Sequence, residues 1–254
     1  MVEVVRCEKF RYDKSLSMPA PMKHDLHTCA AIVWDTRCNP LPILEDSPSV
    51  SIDSKLLFTD FSGHLLANPS LGIYSPSIAG ESPLVCSLAY PRHFLLNHDE
   101  AGHKAYAKST ALEALGFLVP LLIDPARFMG VKVLVITDNA AAALALVRGY
   151  SAGDPWASTI CRAARVVAAA LGCCLQADWE PRRSSRGSRI SDNLTHNLLV
   201  ELDSREIDAY LQHGKVCFPL PILRWMASPQ SDNKLGYKCW IWLKEEYPEV
   251  CFES

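Results

Sequence analysis

The stretch Lys132-Val-Leu-Val-Ile-Thr-Asp138-Asn139-Ala-Ala-Ala is an apolar run that ends on a carboxylate and continues into an alanine-rich segment. Residues 133–136 have the uninterrupted aliphatic character of a strand that is buried on both faces of a sheet. Open α/β sheets bind ligands outside the carboxyl ends of their strands, so Asp138 is placed where a functional carboxylate would lie. The alternative is that Asp138 or Asn139 is only the N-cap of the helix predicted over 140–147.

Composition limits the kind of protein that can contain this stretch. The chain has 254 residues, of which 49% are hydrophobic and 21% charged, as expected for a globular protein with one large domain or one domain with extensions. No apolar run reaches membrane-spanning length and the first residues lack a signal-peptide core, so we expect an intracellular protein, cytoplasmic or nuclear, with no membrane partner. Its ten cysteines are scattered, which favours reduced thiols. A net charge of −3 excludes a generally basic surface, so any contact with nucleic acid must be local.

The order of predicted elements indicates an α/β protein. Apolar runs predict five strands, at 55–60, 71–74, 83–90, 133–136 and 173–179. Helical spacing and capping residues predict helices over about 100–122, 140–147, 155–171 and 203–211, and a further helix that Asp192 opens and that carries Leu194, Leu198, Leu199 and Leu202. The short connections between the first three strands predict an antiparallel meander. Three prolines, at 219, 221 and 229, predict an interrupted segment near the C-terminus.

Four acidic residues are distributed over these elements. Asp60 lies in the first strand, Glu113 beside the apolar face of the first long helix, Asp138 at the end of the fourth strand, and Asp192 in the first turn of a later helix, where its charge favours the helix dipole. A helical glutamate is by itself most simply a solvated side chain. These residues can form a common site only if the fold brings their side chains together.

The segment 181–189 contains four arginines and no acid. Guanidinium groups bind phosphate oxygens in bidentate fashion, so this segment is a candidate for contacts with a nucleic-acid backbone. The alternative is a solvated, mobile loop.

The chain at this point resembles the ribonuclease H-like superfamily. The resemblance rests on four short sequence motifs: Phe58-Thr-Asp60-Phe-Ser62, Thr137-Asp138-Asn139, Trp179-Glu-Pro-Arg182 and Ser191-Asp192-Asn-Leu-Thr. More narrowly, the last three are similar to the ribonuclease H domain that follows reverse transcriptase in retroelements, particularly tyrosine-recombinase-type retrotransposons. The resemblance covers about residues 52–200. It implies a mixed five-stranded sheet, three antiparallel strands followed by two parallel ones, flanked by helices. We expect a domain over 52–212, preceded by a proline-broken extension or connector at 1–51 and followed by an extension at 213–254, whose small size favours packing on the core over a separate binding module.

The resemblance also implies a chemistry. Asp60, Glu113, Asp138 and Asp192 would be the catalytic residues and the ligands of two Mg²⁺ ions, with Mn²⁺ as an alternative, and Asp60 would bridge both ions. The expected reaction is hydrolysis of the RNA strand of an RNA–DNA hybrid, and a polymerase domain would be a further partner. The residues expected to contact the nucleic acid are Ser62, Asn139, Arg182, Arg183, Arg186 and Arg189.

Three departures from the family pattern leave other functions open. Residues 181–191 contain no histidine, Asp60 is followed by Phe61 instead of a small residue, and 53 residues separate Asp60 from Glu113. One alternative keeps the fold and takes DNA as the substrate, as in transposases and junction resolvases. The other is a catalytically inactive domain that binds nucleic acid or protein. A structural metal at His24, His27, Cys29 and Cys38 is not favoured, because their spacing matches no common zinc pattern.

Overall fold

The structure is a computed structural model that describes residues 54–62, 69–77, 80–91, 94, 109–229 and 234–251. The predicted extension at 1–51, with its histidines and cysteines, lies outside the described residues. The first part of the helix predicted from about residue 100 lies outside them as well.

A five-stranded mixed sheet forms the centre of the protein. Its strands are β1 (Ser54–Phe61), β2 (Ser70–Ser75), β3 (Leu84–Ala89), β4 (Lys132–Thr137) and β5 (Cys174–Trp179), in the order β3-β2-β1-β4-β5. β1, β2 and β3 pair antiparallel, whereas β4 is parallel to both β1 and β5. The prediction of three antiparallel strands followed by two parallel strands, flanked by helices, is confirmed.

The register of β1 and β4 brings two predicted carboxylates side by side. Phe58 pairs with Ile136, so Asp60 and Asp138, each two residues further along, emerge at the same end of adjacent parallel strands. The two strands form the middle of the sheet because their side chains are apolar on both faces, as the sequence predicts. Leu57 and Val135 are fully buried on one face, and Phe58 and Ile136 are buried on the other.

Helices cover both faces of the sheet. In the described residues they are α1 (Ser109–Ile123), α2 (Pro125–Phe128), α3 (Ala140–Arg148), α4 (Pro155–Ala170), α5 (Arg186–Thr195), α6 (Ser204–His213), α7 (Leu220–Ala227), α8 (Lys234–Glu246) and α9 (Pro248–Cys251). Helices α1, α3 and α4 pack in the large core cluster on the face of Leu57. Helices α5 and α6 cover the face of Phe58, where Ile190, Leu194 and Tyr210 join the second cluster.

The predicted helix around Asp192 was misplaced. Helix α5 begins at Arg186, because Ser185 and Ser188 form a capping box, so Asp192 lies in its interior and not in its first turn. The argument that the charge of Asp192 favours the helix N-terminus was therefore wrong. The helix ends at Thr195, and Asn197 adopts a left-handed φ of 56° that stops it. Leu198, Leu199 and Leu202 follow the helix and are not part of it.

The helix caps predicted from the sequence are confirmed at three helices. Asn139, and not Asp138, is the N-cap of α3, since its side chain accepts a hydrogen bond from the amide of Ala142. Asp154 caps α4, and Asp203 opens α6 with the predicted capping box. Asp138 is therefore free of the capping role that was the alternative to function.

The prediction of an interrupted segment after residue 216 was wrong in part. Pro219 is the N-cap residue of α7 and Pro221 lies in its first turn, where the missing amide donor costs no intrahelical bond. Within α8, Leu235, Cys239 and Leu243 are buried in the same cluster as the sheet and α4. The domain boundaries at 51 and 212 stay predictions. Among the described residues, no helix combines the length and apolar character that crossing a bilayer requires.

Candidate active site

Three of the four predicted carboxylates converge at the carboxyl ends of β1 and β4. Asp60, Glu113 and Asp138 each offer one oxygen, and these oxygens all lie within 4.8 Å of one another. Asp60 and Glu113 are both only 5% exposed, whereas Asp138 is partly buried. The three residues come from β1, from α1 on one face of the sheet, and from the turn after β4.

Close packing of α1 on β1 brings Glu113 to this position. Gly116 lies one turn after Glu113, and a Cβ atom at residue 116 would stand 2.7 Å from the Cβ and Oγ1 atoms of Thr59. Only glycine lets the helix backbone approach the strand this closely. Because Thr59 precedes Asp60, the same contact sets Glu113 against Asp60.

A second close approach brings Asp192 to the site from the other face. Gly72 of β2 is the register partner of Asp60, and a Cβ atom there would lie 2.1 Å from the carbonyl oxygen of Ser191. Helix α5 therefore lies directly on the strand, and Asp192 is only 5% exposed. Its carboxylate stands beside the other three but outside the group of oxygens that lie within 4.8 Å of one another.

The three convergent carboxylates lack enough donors to satisfy them. In the described part of the chain, Asp60 Oδ2 and Glu113 Oε2 are buried without a hydrogen-bond partner. Burial, followed by repulsion from Asp138, raises the pKa of Asp60 to about 7, and the neighbouring carboxylate of Asp192 adds to this. Burial, followed by the charges of Asp60 and Asp138, raises the pKa of Glu113 well above its usual range. Burial also raises the pKa of Asp138.

This donor set fits a hard divalent cation. All the available ligand atoms are carboxylate oxygens, which Mg²⁺ and Mn²⁺ prefer, and no histidine or thiol takes part in the group. A cation between the three carboxylates would engage the two unpartnered oxygens and offset the repulsion that keeps the pKa values high.

The site also contains a cation of its own, the guanidinium of Arg182. Its Nη2 and Nε atoms donate to Asp192 Oδ1 at 2.6 and 3.1 Å. Nη2 lies 3.6 Å from Asp60 Oδ2, and Nε lies 3.8 Å from Asp138 Oδ2. Burial alone would raise the pKa of Asp192, but the hydrogen bonds from Arg182 outweigh it and the pKa is lowered. Arg183 is a more distant neighbour, with its Nε 3.6 Å from Asp192 Oδ2.

The other two arginines of the predicted phosphate-binding segment lie on α5 and pair with acids. Arg186 binds both carboxylate oxygens of Glu206, at 2.5 and 3.0 Å, and the hydroxyl of Tyr74 at 2.8 Å. Arg189 pairs with Glu201, with 2.8 Å between Nε and Oε2. The segment is therefore not one loop: a short turn ends at Ser185, and a helix follows. Contacts of these arginines with phosphate stay a prediction.

The two remaining predicted contact residues lie just beyond the carboxyl ends of β1 and β4. Ser62 directly follows β1 and is buried, and its hydroxyl has no partner among the described residues. Asn139 uses its side-chain oxygen to cap α3, so it has a structural role whether or not it contacts a ligand.

Sequence reasoning did not assign a role to Trp179, although it quoted the residue. Trp179 ends β5, is half exposed, and donates its indole N–H to the carbonyl oxygen of Asp138 at 2.9 Å. An aromatic residue at the carboxyl end of a predicted parallel strand was the signal that could have identified it.

Comparisons with known proteins give only distant likenesses. No protein-family model and no curated protein matches the chain. Among solved structures, the chain is similar to RNase H1 from the halophilic archaeon Halobacterium salinarum NRC-1, with 11% identity, a TM-score of 0.40, and 57% of this chain and 99% of that chain covered. It is also similar to the N-terminal RNase H domain of Rv2228c from Mycobacterium tuberculosis, solved as a fusion with maltose binding protein, with 13% identity, a TM-score of 0.41, and coverage of 58% and 96%. Because both TM-scores lie below 0.5, the function must be inferred from the carboxylate site itself.

Proposed function

We propose that this protein is a metal-dependent endonuclease of the ribonuclease H-like superfamily that hydrolyses the RNA strand of RNA–DNA hybrids. One observation carries the proposal: oxygens of Asp60, Glu113 and Asp138 lie within 4.8 Å of one another at the ends of two adjacent parallel strands. Two buried oxygens of this group have no hydrogen-bond donor among the described residues. Such a cluster is costly to bury without a cation, and a cation there suits phosphodiester hydrolysis.

The chemistry follows from the donor set. A bound divalent ion, Mg²⁺ or alternatively Mn²⁺, makes a water molecule nucleophilic at neutral pH and stabilises charge on the phosphate oxygens. Asp60, Glu113 and Asp138 would hold this ion. Asp192 and Arg182 flank the same phosphate from the side of α5.

The preference for a hybrid rests on the sequence motifs that resemble ribonuclease H domains. In this proposal Ser62, Asn139 and the arginines of residues 182–189 contact the 2′-hydroxyls and phosphates of the RNA strand. The resemblance to retroelement ribonuclease H domains supports an origin in, or membership of, a reverse transcriptase. On that basis an intracellular location and a polymerase domain as partner are proposed too.

A cleavage assay tests the proposal. Hybrid duplexes with a fluorophore on either the RNA or the DNA strand, and matched double-stranded RNA and DNA, are incubated with the protein in Mg²⁺, in Mn²⁺ and in EDTA. We expect cleavage of the RNA strand of the hybrid, dependent on the metal. The variant Asp138→Asn should lose at least about 100-fold in rate, since a ligand of the ion is removed.

The matched control is Asp178→Asn, which makes the same chemical change at an exposed position on the neighbouring strand β5. This control should cleave at the wild-type rate. If Asp138→Asn cleaves as fast as its control, the proposed active site is wrong. Preferential cleavage of double-stranded DNA would instead support a nuclease of the transposase or resolvase type.

One observation favours a second candidate, a catalytically inactive domain that binds nucleic acid. Arg182 already pairs with Asp192 and approaches Asp60 and Asp138, so the carboxylates are partly neutralised within the chain. If this arrangement is only structural, the protein binds the hybrid in EDTA and in Mg²⁺ with equal affinity and cleaves it in neither.

A further inference from the structure

The guanidinium of Arg182 lies at the edge of the group of three carboxylates: it hydrogen-bonds to Asp192, whereas Asp60 and Asp138 stay at 3.6 and 3.8 Å from it. Asp60, Glu113 and Asp138 form the group whose oxygens lie within 4.8 Å, and Asp192 is outside it. The Oδ1 atom of Asp192 accepts two N–H groups from Arg182. A divalent ion bound to Asp192 through that oxygen would have to displace the guanidinium.

We propose that the guanidinium of Arg182 takes the place of a second divalent ion, so that the site binds one ion, at Asp60, Glu113 and Asp138. This inference rests on the proposed function and departs from the two-ion arrangement that the family resemblance implies. Arg182 is a positioning residue for Asp192 and the second positive charge beside the phosphate.

The turn that carries Arg182 is built to hold the side chain in this place. The amide of Ser184 donates to the carbonyl oxygen of Pro181 at 3.1 Å, which closes a four-residue turn with Arg182 and Arg183 at its centre. Arg183 adopts a φ of 60°, a left-handed conformation that is unfavourable for a residue with a Cβ atom. A glycine would relieve this strain.

Hydrogen bonds on both sides hold this turn closed. The hydroxyl of Ser184 lies within hydrogen-bond distance of both the carboxylate of Glu180 and the carbonyl oxygen of Pro181, and its single proton is shared between them. The hydroxyl of Ser188, in the first turn of α5, donates to the same oxygen of Glu180 at 3.2 Å. The turn is thus bound to helix α5, which carries Asp192. This contact holds the side chain of Arg182 in place beside Asp192.

A guanidinium can perform the task of the second cation. It stays protonated throughout the physiological pH range, and its planar donors match the oxygens of a carboxylate or a phosphate. While Nε and Nη2 bind Asp192, the side chain is still 54% exposed, so it has access to a phosphate at the rim of the site. The scissile phosphate would then lie between one metal ion and one arginine.

Metal stoichiometry tests the inference without relying on activity. The full chain is titrated with Mn²⁺ alone into the millimolar range at pH 8, and free Mn²⁺ is followed by electron paramagnetic resonance. We expect one ion per wild-type chain. In Arg182→Ala a second ion should bind at Asp192, and the affinity for the first ion should rise roughly tenfold because a nearby positive charge is removed.

Three further variants make the assignment specific to Arg182. Arg182→Lys restores a positive charge and should bind one ion, with wild-type affinity. Arg183→Ala removes the more distant charge at Asp192 and should also bind one ion. Arg182→Gln keeps most of the side chain and should behave like Arg182→Ala. Urea denaturation in EDTA shows whether Arg182→Ala is folded, and if it does not unfold cooperatively, the glutamine variant is used in its place.

The outcomes separate this inference from the proposed function. Two ions in the wild type, or a single ion of unchanged affinity in Arg182→Ala and Arg182→Gln, overturn the role of Arg182 and leave the nuclease proposal standing. A second ion in Arg183→Ala would overturn the assignment to Arg182. If neither the wild type nor any variant binds Mn²⁺, both the inference and the proposed function are wrong.

Discussion

Replacing Asp60 with asparagine should stabilise the metal-free protein while it abolishes cleavage. Asparagine has the shape of aspartate without its charge, and Asp60 is 95% buried next to Glu113 and Asp138. Its amide oxygen can still accept the hydrogen bond that the Phe61 amide donates to Asp60 at 2.8 Å. The substitution therefore removes a buried charge with little change in packing.

The pKa of Asp60 sets the size of the effect. Burial and the repulsion by Asp138 raise it from 3.8 to about 7. The folded chain thus retains a proton that the unfolded chain releases, so the wild type loses stability as the pH rises from about 4 to about 7. At about 1.4 kcal/mol per pKa unit, the full cost of the ionised carboxylate at pH 8 is roughly 4 kcal/mol. The attraction between Asp60 and Arg182, 3.6 Å apart, is already included in this pKa, and we expect Asp60→Asn to raise the free energy of unfolding by about 2–4 kcal/mol at pH 8.

Urea denaturation in EDTA, followed by circular dichroism at pH 5 and pH 8, measures this difference. At pH 5 the folded wild-type carboxyl is protonated, and only about one of the three pKa units of the cost is present, so the gain should fall to about 1–2 kcal/mol. Asp178→Asn, on the exposed face of β5, should show no gain at either pH. Mn²⁺ should stabilise the wild type and not Asp60→Asn, because only the wild type keeps the ligand. A variant that is less stable than the wild type at pH 8, or a gain of equal size at both pH values, would refute the reasoning about the buried charge.

Two other substitutions test the packing around the site. Gly116→Ala should lower the free energy of unfolding by about 1–3 kcal/mol and weaken Mn²⁺ binding, because the added methyl group pushes α1 away from β1. Gly153→Ala, where a Cβ atom meets nothing within 4 Å, is the matched control in the same urea and Mn²⁺ titrations. Arg186→Ala should cost about 2–4 kcal/mol in urea denaturation, because it leaves the buried carboxylate of Glu206 without its cation. That difference should shrink as the pH falls, because hydrogen bonds from Arg186 and Tyr74 outweigh burial and lower the pKa of Glu206, and protonation removes their contribution. Arg189→Ala breaks a more exposed ion pair and should cost no more than about 1 kcal/mol, and an equal loss in both arginine variants would contradict the argument.

The elements that the sequence predicted well are those that local rules define. An uninterrupted apolar run can be stable as a strand only in the middle of a covered sheet, so β1 and β4 and their terminal residues Asp60 and Asp138 could be found without coordinates. The caps at Asn139 and Asp154 were equally local, because a cap and the amide it satisfies lie within three residues. The same kind of reasoning failed at α5. Its capping box at Ser185 lies inside an arginine-rich segment that was taken for a loop as a whole.

The sequence by itself determined which carboxylates stand at the ends of the two central strands. Tertiary structure alone decided which of the four acidic residues share a cation site. Glu113 is buried against Asp60 because the backbone of α1 approaches β1 at Gly116, a contact between residues distant in the chain. Asp192 lies beside that group with its charge already paired to Arg182, and no pattern along the chain could predict that pair. The physical reason is that periodicity and capping act over a few residues, whereas the distance between charges depends on how closely separate elements pack.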